Sequence, residues 1–180
     1  MPDTPIHTAD NTLVEVRNLS RYYGPLLAVN HLSFSIHRGE VVGFLGPNGA
    51  GKTTTMQILS GNLAPSQGSV TIAGHDLLND PHAAKSAIGY LPEQPPLYRE
   101  LTVNEYLDYC AALHRVPRKE RVAAREAAKE KCGLKDVGAR LIGNLSKGFQ
   151  QRVGIAQAII HLPAVVILDE PTVGLDPIQI

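Results

Sequence analysis

With 180 residues, 43% of them hydrophobic, the chain is long enough to bury a domain-sized core. Its 17 Lys and Arg balance 17 Asp and Glu, so no net charge draws the surface as a whole to nucleic acid or to anionic lipid. The two cysteines, Cys110 and Cys132, form no CxxC pattern and argue against a zinc or redox motif, and no apolar run approaches the ~18 residues that span a bilayer.

The opening MPDTPIHTADN (1–11) is polar and Pro-containing and lacks the apolar centre of a signal peptide, which predicts a mobile tail on a cytoplasmic chain. TLVEVRNL (12–19) reads as a strand. LSFSIH (32–37) sets Leu32, Phe34 and Ile36 on one face and Ser33, Ser35 and His37 on the other, a half-buried strand. After a turn at Arg38-Gly39, EVVGFLG (40–46) reads as a buried strand entering a Gly-rich loop. Met56, Leu59 and Leu63 recur at helical spacing and predict a helix over 53–63; GSVTIAG (68–74) predicts another strand.

The texture changes near Tyr98, where the chain becomes Ala-rich and charged. Two helices are expected, at about 102–115 and 117–132, with Pro117 in a first turn and Gly133 as a C-terminal cap. From Leu145 a helix runs to about His161, Pro163 stops it, and a strand follows over 164–168. The organisation expected is a tail (1–11), an α/β core (12–97 and 144–180) and a helical subdomain (98–143).

GPNGAGKT (46–53) has the GxxxxGK[ST] form, follows an apolar strand-like run and opens a helix. The loop residues Gly46, Pro47, Asn48, Gly49, Ala50 and Gly51 can turn backbone N–H groups onto a phosphate, because the glycines carry no Cβ. The helix start adds a positive dipole end. Lys52 supplies a point charge for the β and γ phosphates, the Thr53 hydroxyl can ligate Mg²⁺, and Thr54 can bond a further phosphate oxygen. Farther on, VVILDEP (165–171) ends an apolar strand on Asp169 and Glu170. Alone, that pair reads equally well as first-turn acids of a helix. With a phosphate loop in the same chain, Asp169 reads as holding Mg²⁺ through water and Glu170 as the general base for the attacking water.

LSKGFQQRVGIAQAI (145–159), some twenty residues before ILDEP, gives the chain its resemblance: it resembles the ATP-binding subunit of an ABC transporter over nearly its whole length. The resemblance implies a P-loop NTPase (RecA-like) α/β core with an antiparallel β part and a helical subdomain. It also implies ATP and Mg²⁺, a second ATP-binding subunit, transmembrane permease subunits as partners, no nucleic acid, and a place on the inner face of the cell membrane. By the same resemblance Tyr23, just before Gly24, stacks on adenine in preference to Tyr22; Gln94 senses Mg²⁺ and water and couples to the permease; Asp176 lies in a loop that crosses the dimer interface. Ser146 and Gly148 offer a hydroxyl and an N–H to the γ phosphate of the opposite subunit.

Two positions depart from the common LSGGQ form of that segment: Lys147 and Phe149. Such variants are similar to subunits of bacterial ABC-2 type exporters, including those associated with gliding motility. Phe149 reads equally as an interface packing residue, and Lys147 as a solvated charge.

The family's switch His, on the strand after DEP, has no counterpart among the seven histidines; His161 precedes that strand and suits a helix C-terminus. The expectation is a domain incomplete at its C-terminus, with little ATP hydrolysis by the 180-residue chain alone and no direct pairing between strands 41–45 and 165–168. The competing readings are a soluble ABC-type ATPase of translation or DNA repair and a non-hydrolysing fragment. A GTPase or small-molecule kinase is disfavoured, since no NKxD-like segment is present.

Overall fold

A computed structural model describes residues 11–171. They form two compact units, one running to Ile88 and the other starting at Gly89. The first is built on an antiparallel sheet. β1 (Thr12–Tyr23) and β2 (Leu26–His37) form a long hairpin, turned at Gly24, whose φ of 56° is open to a residue without Cβ. β3 (Gln67–Ile72) pairs with the other edge of β1, and the two-residue β4 (His75–Asp76) closes the order β2-β1-β3-β4. Val14 lies between Ile36 and Ile72, and Val16 between Phe34 and Val70, so alternate residues stack across three strands. Val14, Val16, Val70 and Ile72 are buried; in β2 Leu32, Phe34 and Ile36 are half-buried and Ser33 and Ser35 exposed, the alternation read from the sequence, but His37, expected to face out with the serines, is half-buried too.

Two expectations fail in this unit. Residues 40–47 form no strand: Val41 is 99% exposed and Leu45 93%. β2 is an edge strand of its sheet, and 41–45 joins no ladder among the described residues. An apolar run becomes a strand only when a neighbour takes its N–H and C=O groups. Phe44 tilts on Phe34, centroids 5.7 Å apart. Second, the helix expected to reach Leu63 stops at Leu59 as α1 (Lys52–Leu59). Gly61 turns to φ 73°, and the N–H groups of Asn62 and Leu63 both fold back onto the Gln57 carbonyl, at 2.9 and 3.1 Å. The sequence reading also missed the short α2 (Pro81–Ser86), whose N-cap Asp80 accepts from Ala83 N–H at 3.3 Å.

The second unit holds a two-stranded sheet, β5 (Ile88–Leu91) with β6 (Val165–Leu168), and three helices: α3 (Val103–Leu113), α4 (Arg121–Lys131) and α5 (Lys147–Ile159). β6 pairs with β5 and with no other strand among the described residues. α3 opens with a complete capping box: Glu105 N–H donates to the Thr102 hydroxyl, and Thr102 N–H donates to the Glu105 carboxylate at 2.8 Å. Pro117 does not start α4. Residues 117–120 make a separate turn, with Glu120 N–H on the Pro117 carbonyl at 2.8 Å, and the helix begins at Arg121. At its other end Gly133 adopts φ 65°, and Leu134 N–H reaches the Lys129 carbonyl at 2.8 Å, as expected of a capping glycine.

The helices share one core around Leu107, Leu134, Ile142 and Val153, all fully buried. α5 crosses β5 closely because glycine stands on both sides. A Cβ at Gly89 would run into the Ala158 carbonyl, and one at Gly154 would meet Leu91 Cδ1 at 2.7 Å. No helix among the described residues is long and apolar enough to cross a membrane.

Candidate functional site

In the first unit the 46–53 loop leads directly into α1. Gly49 and Gly51 both sit at φ 83°, so the backbone turns twice through a region that a side chain disfavours. At Gly49 there is open space, but a Cβ at Gly51 would collide with the Ala28 carbonyl oxygen and stand 3.2 Å from Val29 Cγ2. The loop therefore rests on the backbone of β2 at the residue that caps α1. The Thr55 hydroxyl and N–H both donate to the Gly51 carbonyl, at 2.9 and 2.8 Å, which fixes the first turn of the helix.

Residues 46–50 are exposed. The Lys52 ammonium donates to the carbonyls of Gly46 and Pro47, at 2.6 and 2.9 Å. A lysine charge, an exposed Thr53 hydroxyl, a half-buried Thr54 and loop N–H groups at a helix start are an anion-binding donor set.

Tyr23 ends β1 with 43% of its surface exposed, and Arg21 lies over its ring, 4.8 Å from the centroid. Tyr22 beside it is 38% exposed, and its backbone N–H donates to Ser66 Oγ at 3.1 Å.

The other sequence-derived candidates fall in the second unit. Asp169 follows β6, is 8% exposed, and donates its backbone N–H to the Leu91 carbonyl at 2.9 Å. Burial, and then the Asp169 charge, push the Tyr90 phenol above its ordinary range. Glu170 is exposed and stands in the left-handed region at φ 47°, a strained conformation for a residue with a Cβ. The turn after it is tied down by Gln151, whose amide donates to the Pro171 carbonyl at 3.3 Å. Gln94 is exposed in the segment after β5. The neighbouring Pro95 packs on α5, its Cγ 2.9 Å from where a Gly154 Cβ would lie.

Ser146 is the N-cap of α5, accepting from Phe149 N–H at 3.3 Å, and Gly148 is buried in the first turn. Phe149 is half-buried with Arg152 over its ring at 5.4 Å, and Lys147 is exposed. One helix thus carries Ser146 at its start and, in its middle, the residues on which the Gln94 and Glu170 segments rest. Asp176 and most of the expected tail lie outside the described residues.

Gln151, 4% exposed, and Gln157, whose amide donates to the Tyr90 carbonyl at 2.9 Å, were not singled out from sequence. Their signal was a polar amide among the small and apolar residues of a buried helix. Thr53, Gln94 and Asp169 supply hydroxyl, amide and carboxylate oxygens, hard donors of the type Mg²⁺ takes.

The fold and the glycine-crested loop are those of a P-loop NTPase. The ABC transporter family model matches residues 29–173, and the chain belongs to that family. It is 34% identical over 171 residues to the probable multidrug ABC transporter ATP-binding protein YbhF of Escherichia coli, covering 95% of this chain and 30% of that protein. To the SkfA peptide export ATP-binding protein SkfE of Bacillus subtilis it is 42% identical over 164 residues, 91% of this chain and 68% of that one. Among solved structures, an ATP-binding subunit of an ABC transporter superposes with a TM-score of 0.84 at 34% identity, covering 93% of this chain and 70% of that chain. The chain thus spans less than a third of the length of the YbhF relative.

Proposed function

We propose that the chain is the ATP-binding and ATP-hydrolysing part of a membrane exporter, working through partner permease subunits on the inner face of the cell membrane and pairing with a second ATP-binding subunit. The observation that carries the reading is the phosphate loop, whose left-handed Gly51 abuts Ala28 and opens α1. The relative with export in its name and the LSKG form of residues 145–148 support the exporting direction.

In this reading Tyr23 stacks on the adenine. The loop N–H groups of 46–51 and the Thr54 hydroxyl hold the phosphates. The Lys52 ammonium exchanges its two loop carbonyls for β and γ phosphate oxygens, which bind it more strongly because they carry charge. Thr53, Gln94 and Asp169 hold Mg²⁺, which neutralises phosphate charge when bound. Glu170 takes the proton of the attacking water. Ser146 and Gly148 offer their donors to a nucleotide on the second subunit, and Asp176 lies at that interface.

The test is ATP binding by the whole protein carrying Lys52→Ala. Loss of a charged donor to phosphate should weaken binding about tenfold or more. An unchanged ATP affinity would remove the loop from the function.

A further inference from the structure

β3 leaves β1 at the pair Ser20–Gln67, so among the described residues the last three residues of β1 have no strand on that side. Three hydrogen bonds take over. Ser66 N–H donates to the Ser20 carbonyl at 2.9 Å, Tyr22 N–H donates to Ser66 Oγ at 3.1 Å, and Arg21 Nη1 donates to the Ala64 carbonyl at 3.0 Å. The chain so clamped, residues 64–66, is the exit from α1, the helix that opens with the phosphate loop. Arg21 has a second contact. Its guanidinium lies over the Tyr23 ring, 4.8 Å from the centroid, while its buried Nε has no hydrogen-bond partner among the described residues. The Ala64 carbonyl and the ring are therefore the two groups that locate its head.

We propose that Arg21 is a positioning residue for nucleobase binding, holding the Tyr23 ring at a set angle and distance from α1 so that a purine stacks on the ring face opposite the guanidinium. This rests on the assignment of Tyr23 as the adenine-stacking residue. Two physical effects follow. A cation over one face draws π density from the ring, which lowers its repulsion toward a base on the other face. Fixing an exposed aromatic before the ligand arrives also removes an ordering cost from binding. Because Arg21 is tied to the stretch leaving α1, the base and phosphate ends of the nucleotide are held in register by one side chain.

The experiment compares ATP with tripolyphosphate, which lacks base and ribose, by calorimetry on the whole protein as wild type, Arg21→Gln, Tyr23→Ala and the double variant. Arg21→Gln should weaken ATP about two- to fivefold, the size of a partly exposed cation–π contact, and leave tripolyphosphate unchanged. In the Tyr23→Ala background the same substitution should have no further effect. Arg21→Lys, which keeps a charge and a donor, should recover part of the ATP loss.

Equal losses for ATP and tripolyphosphate, no loss at all, or an undiminished loss in the Tyr23→Ala background would each overturn the positioning role. If Tyr23→Ala itself leaves ATP affinity unchanged, the stacking assignment falls and the role of Arg21 falls with it. The Lys52→Ala test of the phosphate loop is unaffected by any of these results.

Discussion

Gly51→Ala tests the seat of the phosphate loop, with Gly49→Ala as its internal control. Both glycines sit at φ 83°, so each substitution forces a Cβ into the left-handed region, at about 1–2 kcal/mol. At Gly49 nothing stands within 4 Å of the new atom, and that backbone term is the whole effect. At Gly51 the Cβ overlaps the Ala28 carbonyl and crowds Val29 Cγ2 at 3.2 Å. The overlapped atom is strand backbone, so relief requires moving β2 or α1, an overpacking cost of about 1–3 kcal/mol beyond the backbone term. Urea unfolding followed by far-UV circular dichroism, without nucleotide, reads the difference. With a slope of about 1–3 kcal/mol per molar urea, the Gly51→Ala midpoint should fall about 1 M below that of Gly49→Ala. Equal midpoints for the two variants would refute the reasoning, because they would show that Gly51 does not bear on β2.

Three other outcomes are expected. Glu170→Gln in the whole protein should bind ATP and hydrolyse it slowly, since an amide cannot accept the water proton; normal turnover would remove Glu170 as base. The Thr102 N–H, followed by its hydroxyl, holds the Glu105 carboxyl below its ordinary range. A lowered folded value means that this stabilisation is present above the ordinary carboxylate range and is lost as pH falls through the folded value. Urea midpoints measured from neutral to acid pH should therefore drop less steeply in Glu105→Gln than in wild type, and parallel curves would contradict the capping role. Burial raises both thiols, Cys110 and Cys132, to about 11, so a thiol reagent at mildly alkaline pH should label the native protein slowly and the denatured chain quickly. Rapid native labelling of either would show that its burial is not maintained.

Much of this chain was legible because its signals are local. The capping Gly133, the alternation of Leu32, Phe34 and Ile36, and the Gly-rich run ending in Lys52 and Thr53 each act within a few residues, whereas the capping box at Thr102 and Glu105, equally local, was not singled out from sequence. Local sterics and side-chain-to-backbone hydrogen bonds determine them before the rest of the chain is in place.

What only the tertiary structure decided depends on partners distant in sequence. The apolar run 41–45 reads as a strand, yet its pairing is a property of neighbours, and among the described residues it has none. Gly51 is a loop glycine in the sequence; that it bears on Ala28 follows from where β2 passes α1. Gln151 and Gln157 look like ordinary helix residues until their amides meet the carbonyls of Pro171 and Tyr90. His114 and His161 stack with ring centroids 3.7 Å apart, though one lies just beyond the end of α3 and the other just beyond the end of α5. Arg21 lies beyond the strand expected over 12–19 and was not singled out from sequence; its bond to Ala64 exists only because the chain leaving α1 returns to β1. In each case the residue type permits the contact, and the fold alone chooses the partner, because long-range hydrogen bonds and packing form only when the backbone brings the two groups together.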